Sequence, residues 1–143
     1  MGPLVEFKKV VPHARIPKYA HVSDCGADLY AVNRVFIFSG AVGKIPLGIA
    51  TAFSPDYYAT LEDRSSRANK GLFVVGGQID ADYRGQWFCM LYNSTQYCQK
   101  IETGDKICQV IFHRRNKAIF IGVDSLDDTE RGEGGFGSTD DER

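Results

Sequence analysis

The sequence predicts an all-β fold, and two observations support this prediction. Short runs of β-branched and aromatic residues recur along the chain, separated by turn-forming glycine, serine, aspartate and asparagine residues. Many short strands at this spacing are typical of a β-sandwich or barrel. No stretch keeps a helical periodicity for long enough to form a major helix. The length of 143 residues suits one compact domain.

The strand pattern can be followed along the chain. The runs that carry it are residues 4–11, 34–38, 44–53, 57–62, 71–75, 86–93, 107–113 and 118–123. Turn signals separate them, for example at Ser39-Gly40, Ser54-Pro55-Asp56, Gly76-Gly77 and Thr103-Gly104-Asp105. Residues 65–70 predict a single short helix that begins on a serine.

The C-terminal stretch differs in composition from the rest of the chain. From about Asp124 onwards it is rich in glycine and nearly free of apolar residues, and such a segment buries too little surface to order itself. We therefore divide the chain into a β core, residues 1–124, and a flexible arm, residues 125–143. The arm is either a loose terminus or a closing segment, in which glycines let backbone N–H groups approach phosphate and Phe136 offers a stacking face.

Charge and composition exclude several classes of protein. Seventeen basic residues balance 18 acidic ones, which argues against binding to a nucleic-acid backbone. No apolar run approaches the roughly 20 residues of a membrane helix, and the N-terminus lacks the apolar centre of a signal peptide. The four cysteines form no CxxC pair. They predict free thiols in a reducing compartment, cytoplasmic or, for a eukaryotic or viral protein, nuclear.

Two of the polar clusters suit an anionic ligand. CGADLYA at 25–31 places Asp28 among small residues, where an ordinary turn aspartate is the alternative. DRSSRANKG at 63–71 sets adjacent hydroxyls beside Arg64, Arg67 and Lys70 at the predicted helix start. Such donors can bind a negatively charged oxygen. The alternative is a capped helix with a solvated basic face.

Two further clusters lie on predicted strands and turns. In GGQIDADYRGQW at 76–87, Asp80 and Asp82 would share a face of an extended chain near Tyr83. Either carboxylate could bind a metal ion or act as a base, and a tight hairpin with polar corners is the alternative. In GDKICQVIFH at 104–113, Gln109 and His113 interrupt an apolar run. Both could instead be polar residues whose hydrogen bonds are satisfied.

Other catalytic signatures are missing from the sequence. The stretch GAVGK at 40–44 is too short for a phosphate-binding P-loop, and Ile45 replaces the required serine or threonine. There is no GxSxG elbow, no HExxH and no GxGxxG motif opening a helix. The chemistry must therefore come from dispersed loops, which suits an oligomer that assembles its sites at interfaces.

Taken in order, these clusters and RGEGGFGSTD at 131–140 resemble the five motifs of the trimeric dUTPase family. The resemblance spans residues 25–140, and IDADYRG and RGEGGFGST are its most specific parts. It implies a distorted jelly-roll fold of the β-clip type and a homotrimer whose active sites are shared between neighbouring subunits. It also implies hydrolysis of dUTP to dUMP and pyrophosphate with Mg²⁺ as cofactor, without nucleic-acid or membrane partners.

The resemblance implies a role for each motif residue. Asp80 would be the general base that activates water, and Tyr83 would pack against the deoxyribose. The backbone that would pair with the uracil edge is that of Gly77, Gln78, Ile79 and Phe88. The phosphates would be held by Arg64, Ser65, Ser66 and Gln109. The arm would contribute Phe136 over the uracil and, on the terminal phosphates, Arg131, Gly137, Ser138 and Thr139. Asp28 would support Mg²⁺ through its water shell.

Several positions depart from the family pattern. Asp63, Ser66 and Arg67 replace the usual proline, glycine and leucine of the second motif, and Gln78 stands where a small apolar residue is common. The end of the arm is also acidic, which opposes docking onto a triphosphate.

Two other functions remain open at this point. One is a dCTP deaminase, either alone or as a bifunctional deaminase and diphosphatase. The related dCTP deaminases share the Arg-Ser-Ser run, but they need a glutamate where this chain has Met90, and a thioether cannot move protons. The other alternative is a nucleotide-sensing regulatory protein on the same fold. Asp80, Tyr83 and the arm are all present, which favours the enzyme.

Overall fold

A computed structural model of the protein describes residues 2–135, and its fold is all-β, as predicted. These residues form eleven strands and one helix of four residues. The strands are β1 Val5–Lys9, β2 Ala27–Tyr30, β3 Val35–Ile37, β4 Val42–Pro46, β5 Ile49–Phe53, β6 Tyr57–Asp63, β7 Leu72–Val74, β8 Gln78–Ile79, β9 Phe88–Asn93, β10 Gln99–Ile101 and β11 Lys106–Arg114. The helix, α1, is Ser65–Ala68.

The strands form small antiparallel sheets that enclose one core. The largest sheet has the order β2-β11-β6-β8, and a second has the order β4-β9-β7. Two further pairs, β1-β5 and β3-β10, complete the described body. This arrangement puts β8 on the edge of the largest sheet and brings β4 alongside β9, and these elements frame the candidate site described below.

The core explains why the loop before β9 is held firmly. The Trp87 side chain is completely buried and meets the Phe7 ring edge-on, with 6.4 Å between ring centroids. Its backbone N–H donates to Ile49 O at 2.8 Å, and its carbonyl accepts from Leu47 N at 3.0 Å. Trp87, the last residue of the segment GGQIDADYRGQW, therefore anchors the end of that segment to β5, by both apolar burial and backbone hydrogen bonds.

The cysteines are free thiols, as predicted. Cys89 and Cys108 lie together in the core, whereas Cys25 and Cys98 are exposed. The hydrogen bond between Cys89 and Cys108, together with their burial, raises the pKa of the Cys108 thiol well above its usual value. Because the thiolate is the reactive form, Cys108 contributes packing and not nucleophilic chemistry.

Three sequence predictions need correction. The run 44–53 is two strands, because Gly48 adopts a left-handed φ of 67° and turns the chain between β4 and β5. The strands β2 and β10 were missed. The strand predicted at residues 118–123 is wrong, because none of the described residues pairs with this segment. The helix is confirmed, although it ends at Ala68, before the predicted end at Lys70.

The chain after β11 lies apart from the core. Residues 115–135 contain no helix or strand, and their apolar side chains are largely exposed, with Phe120 at 93%. The boundary predicted between core and arm, at residue 124, stays a prediction. The described residues include no helix that could span a membrane.

Candidate active site

The third motif forms a hairpin whose corner carries Asp80. Strand β8 ends at Ile79, and a turn follows in which Tyr83 N donates to Asp80 O at 3.2 Å. The Tyr83 hydroxyl donates to Gln86 O at 3.1 Å, just before β9 begins. The expectation that Asp80 and Asp82 share the face of an extended chain is therefore wrong, because both lie in this turn.

Arg84 connects this turn to strand β5 by hydrogen bonds. Its guanidinium donates to Ala81 O at 2.7 Å within the turn and to Thr51 O at 3.3 Å on β5. A planar guanidinium that bridges two backbone carbonyls restricts the motion of the loop between them. Arg84 therefore restrains the turn that carries Asp80.

A cavity of about 330 Å³, named here the hairpin cavity, opens beside this turn. Its lining residues are Lys44, Gln78, Ile79, Asp80, Tyr83, Gln86, Phe88 and Met90. The lining combines aromatic and aliphatic surface with one carboxylate, one ammonium and two amides. This mixture suits a planar ring or a sugar that needs both stacking and a few polar contacts.

Gly77 allows the hairpin to pack closely on β6. Its carbonyl accepts a 2.6 Å hydrogen bond from Leu61 N. A Cβ atom at this position would stand 2.5 Å from Leu61 O and 3.0 Å from Leu61 Cβ, which is closer than atoms in folded proteins approach. A residue with a side chain would therefore push the hairpin outward, so glycine is required here for close approach.

A second cavity, of about 210 Å³, is named here the charged cavity. Its lining residues are Ala20, Asp24, Gly26, Asp28, Arg64, Ser65, Lys106 and Gln109. At its centre Asp28 accepts from two cations, with Oδ1 2.9 Å from Arg64 Nε and Oδ2 2.6 Å from Lys106 Nζ. Only 12% of the Asp28 side chain is exposed, and the two cations offset the cost of burying its charge.

The position of Gln109 follows from strand pairing. Gln109 on β11 lies opposite Asp28 on β2, and its Nε2 donates to Asp63 O at 2.9 Å. Its amide oxygen lies where a Cβ on residue 26 would come within 2.5 Å, so the glycine of CGADLYA makes room for it. The first and fourth motifs thus meet through one antiparallel strand pair.

The two arginines of the second motif make different contacts. Arg64 faces the charged cavity, and its Nη1 donates to Ser66 Oγ at 3.3 Å. Ser65 lines the cavity, whereas Ser66 does not. Arg67 turns away from it and contacts Asp105 Oδ2 at 3.0 Å and Lys106 O at 3.0 Å. Arg67 therefore clamps α1 to the turn before β11, in place of the anion-binding role suggested by the sequence.

We expect Arg67→Leu, which restores the residue usual in the family, to lower the free energy of unfolding by about 1–3 kcal/mol, because it removes a half-buried, charge-assisted contact pair. Urea unfolding at fixed protein concentration measures this loss. Arg34→Leu is the matched control, because Arg34 forms a 2.7 Å ion pair with Glu102 while 61% exposed. Such a surface pair contributes at most about 1 kcal/mol. Unchanged stability of Arg67→Leu together with a raised KM would contradict the clamp and indicate substrate contact.

Among the described residues, Arg131 and His113 line neither cavity. Arg131 Nε donates to Gly134 O at 2.9 Å within a local turn, so the structure does not bring it to either cavity of its own chain. Phe136, Gly137, Ser138 and Thr139 lie outside the described residues. His113 forms a hydrogen bond with Thr60 Oγ1 at 3.0 Å and stacks on the Tyr58 ring. These contacts support the alternative that His113 is a polar residue whose hydrogen bonds are satisfied.

The two cavities share no lining residue within residues 2–135. Asp80 therefore lines one cavity, while Arg64, Ser65 and Gln109 line the other. Sequence reasoning missed Lys44, Asp24 and Lys106 as cavity residues. A basic residue at the start of β11 was a usable signal for Lys106, whereas Lys44 becomes visible only once β4 is paired with β9.

Comparison with known proteins identifies the family. The family model described as dUTPase matches residues 12–140. The chain belongs to the dUTPase family.

Relatives with this family's activity in their names cover nearly the whole chain. The deoxyuridine 5'-triphosphate nucleotidohydrolase of Thermobifida fusca is 40% identical over 139 residues, covering 94% of this chain and 78% of that protein. The protein of the same name from Helicobacter pylori strain Shi470 is 37% identical, covering 94% of this chain and 95% of its own length.

Solved dUTPase structures share the fold. A Staphylococcus bacteriophage 80alpha dUTPase mutant with dUpNHpp superimposes with a TM-score of 0.86 at 23% identity, covering 94% of this chain and 97% of that one. A dUTPase mutant from phage phi11 of S. aureus, described with a structural Mg(II) ion, has a TM-score of 0.80 at 19% identity, covering 87% and 99%. The β sheets described above are thus the distorted jelly roll of dUTPases.

The donor set of this dUTPase can be tested against Mg²⁺. Among residues 2–135, no group of three or more His, Cys, Asp or Glu side chains could hold a metal ion. Both oxygens of Asp28 already contact cations. Mg²⁺ commonly keeps several waters and is bound by one or two carboxylates plus substrate phosphates. The charged cavity, which Asp24 and Asp28 line, fits that mode, and these carboxylates would hold the ion through its water shell.

Proposed function

We propose that this protein hydrolyses dUTP to dUMP and pyrophosphate, and that Asp80 is its general base. The observation that carries the assignment of the base is the place of Asp80, at the corner of the hairpin and on the wall of the hairpin cavity. No side-chain cation within residues 2–135 pairs with its carboxylate. The carboxylate is therefore available to accept a proton from water.

Asp80 would act by deprotonating the attacking water. Water is a poor nucleophile at neutral pH, and a positioned base accelerates its attack by about 10²–10⁴-fold. The attack breaks the phosphoanhydride between the α- and β-phosphates, so dUMP and pyrophosphate leave separately. The bonds of Arg84 to Ala81 O and Thr51 O hold the turn, and a fixed base spares the ordering cost at each turnover.

The hairpin cavity would bind the nucleobase and the sugar of the nucleotide. The Tyr83 ring lines it, and its hydroxyl is held by Gln86 O, so the ring can pack against a deoxyribose and leave little space for a 2′-hydroxyl. The backbone of Gly77, Gln78, Ile79 and Phe88 would pair with the uracil edge. A narrow hairpin would also clash with the methyl group of thymine, which gives selectivity by shape.

The charged cavity would bind the phosphates. Arg64, Ser65 and Gln109 line it and supply N–H and O–H donors, with Ser66 next to Arg64. Lys106 adds a cation from the start of β11. When bound, Mg²⁺ would neutralise phosphate charge that otherwise repels the nucleophile.

A homotrimer with shared sites would join the two cavities. Because Asp80 and the phosphate donors line separate cavities of one chain, a neighbouring subunit can supply the second half of each site. The segment after β11 supports this proposal, because Ile119 and Phe120 are about nine-tenths exposed, and large exposed apolar groups commonly mark contact surfaces. Arg131, Phe136, Gly137, Ser138 and Thr139 would then close over the substrate bound by a neighbour.

Incubation with dUTP, dCTP, dTTP and UTP, with and without Mg²⁺, tests the proposed function. We expect pyrophosphate release from dUTP with Mg²⁺, little release from the other nucleotides, and no ammonia from dCTP. The last expectation follows from Met90, which lines the hairpin cavity at the position of the deaminase glutamate and cannot move a proton. Ammonia release from dCTP, or equal turnover of UTP, would contradict the proposal.

A further inference from the structure

We propose that Lys44 is a specificity-determining residue that selects uracil over cytosine by donating to the oxygen on C4 of the base. The proposal rests on the proposed function, because it assigns a partner to one edge of the base in the hairpin cavity. Lys44 lies on β4, outside all five motifs, and lines this cavity together with Asp80 and Phe88. Among residues 2–135, no other basic side chain lines it.

Strand register explains why this side chain reaches the cavity. Strands β4 and β9 are antiparallel, with Lys44 opposite Met90 and Pro46 opposite Phe88. Successive side chains point to opposite faces of a sheet. The intervening residues, Ile45 and Cys89, are completely buried in the core, so Lys44 and Met90 project from the other face. Met90 also lines the cavity, as this register requires.

The ammonium is held in place but keeps donors free. Lys44 Nζ lies 4.2 Å from the centroid of the Phe88 ring, within the range of a cation–π contact. Within residues 2–135 no carboxylate pairs with it. The ring thus restrains the lysine stem and leaves its N–H groups available to a ligand. The other charged side chain lining the cavity is Asp80.

The position of the ammonium favours the base over the phosphates as its partner. The phosphate donors Arg64, Ser65 and Lys106 line the charged cavity, which Lys44 does not. The ammonium instead lies over Phe88, whose backbone is the proposed partner of the uracil edge. It would therefore meet a polar atom on that edge.

The donor chemistry of lysine then gives the selectivity. An ammonium donates hydrogen bonds and cannot accept them. Uracil presents a carbonyl oxygen on C4, which accepts, whereas cytosine carries an amino group there, which donates. A site that hydrogen-bonds one group rejects an analogue that cannot complete the bond. Lys44 would thus stabilise bound dUTP at a single atom of the nucleobase and give no such stabilisation to bound dCTP.

The test compares Lys44→Met with the wild-type trimer, since methionine removes the charge and retains an unbranched stem. We expect KM for dUTP and the inhibition constant of dUMP each to rise about tenfold, as for the loss of one hydrogen bond to a charged group. The inhibition constants of dCMP and pyrophosphate should stay unchanged, so the preference for uracil over cytosine falls by the same factor. Lys44→Arg should retain most of the preference.

Lys9→Met is the matched control, because Lys9 is an exposed lysine on β1 that lines neither cavity, and we expect it to behave as wild type. Weaker inhibition of Lys44→Met by pyrophosphate, or equal losses for dUMP and dCMP, would overturn the proposal and indicate a phosphate contact or a packing defect. Unchanged dUMP inhibition would overturn it as well. A wild-type protein that released no pyrophosphate from dUTP would instead refute the proposed function itself.

Discussion

The Asp80→Asn protein is expected to bind dUTP and fail to hydrolyse it. Asparagine has nearly the shape of aspartate but cannot take a proton from water, so kcat should fall by about 10²–10⁴-fold. Binding should change little, because the contacts to base, sugar and phosphates come from other residues. Single-turnover release of pyrophosphate and titration with a non-hydrolysable imido analogue of dUTP measure the two effects separately.

Asp82→Asn provides the control for this experiment. Asp82 lies in the same turn and is exposed, but it does not line the hairpin cavity. Its replacement removes one negative charge, as Asp80→Asn does, two residues away from Asp80. A general electrostatic effect would therefore appear in both variants. We expect Asp82→Asn to keep kcat within a few-fold of wild type. Equal losses in the two variants, or near-normal turnover by Asp80→Asn, would remove Asp80 from the role of base.

The sequence predicted the strands that follow an alternating or apolar pattern, but not those that tertiary contacts create. Strand β2 was missed because Ala27, Asp28 and Leu29 are all buried, so inward and outward positions do not alternate. Its paired aspartate also resembles a turn residue when Arg64 and Lys106 are not in view. Propensity alone cannot anticipate such an environment.

The opposite error occurred at residues 118–123, where the pattern of a strand is present and the strand is absent. A strand requires a partner for its backbone groups, and the described part of the chain offers none to this segment. Its exposed Ile119, Phe120 and Ile121 carry the apolar content that produced the prediction. The local sequence therefore shows the apolar pattern of a strand, whereas strand formation depends on a pairing partner that the local sequence does not encode.

The candidate site divides in the same way. The resemblance to five motifs in order was enough to nominate Asp80, Arg64 and Gln109 as candidates, and each of them lines one of the two cavities. Lys44 enters through the pairing of β4 with the distant strand β9, which no local pattern encodes. The structural role of Arg67, which holds α1 to the turn before β11, also depends on a contact with Asp105, a residue distant in the sequence.

Deletion of residues 131–143 is expected to lower kcat by about 10²–10³-fold, the usual cost of losing donors that stabilise transition-state charge. Assembly should persist, because residues 115–135 add no strand to the core sheets. Light scattering checks the mass of the truncated protein, and pyrophosphate release checks its turnover. Wild-type turnover would show that the arm is dispensable, whereas monomers, beside a full-length protein that assembles, would show that the arm is needed for assembly.

Mixing the truncated chain with Asp80→Asn chains tests whether sites are shared between subunits. Each variant alone should be nearly inactive, because the truncated chain lacks the arm and the Asp80→Asn chain lacks the general base. If base and arm at each site come from different subunits, co-refolding equal amounts places both intact parts at about one quarter of the sites in random trimers. Activity should then reappear at about that fraction of wild type. Sites built within single chains would leave every mixture as inactive as its components, because no chain would carry both parts.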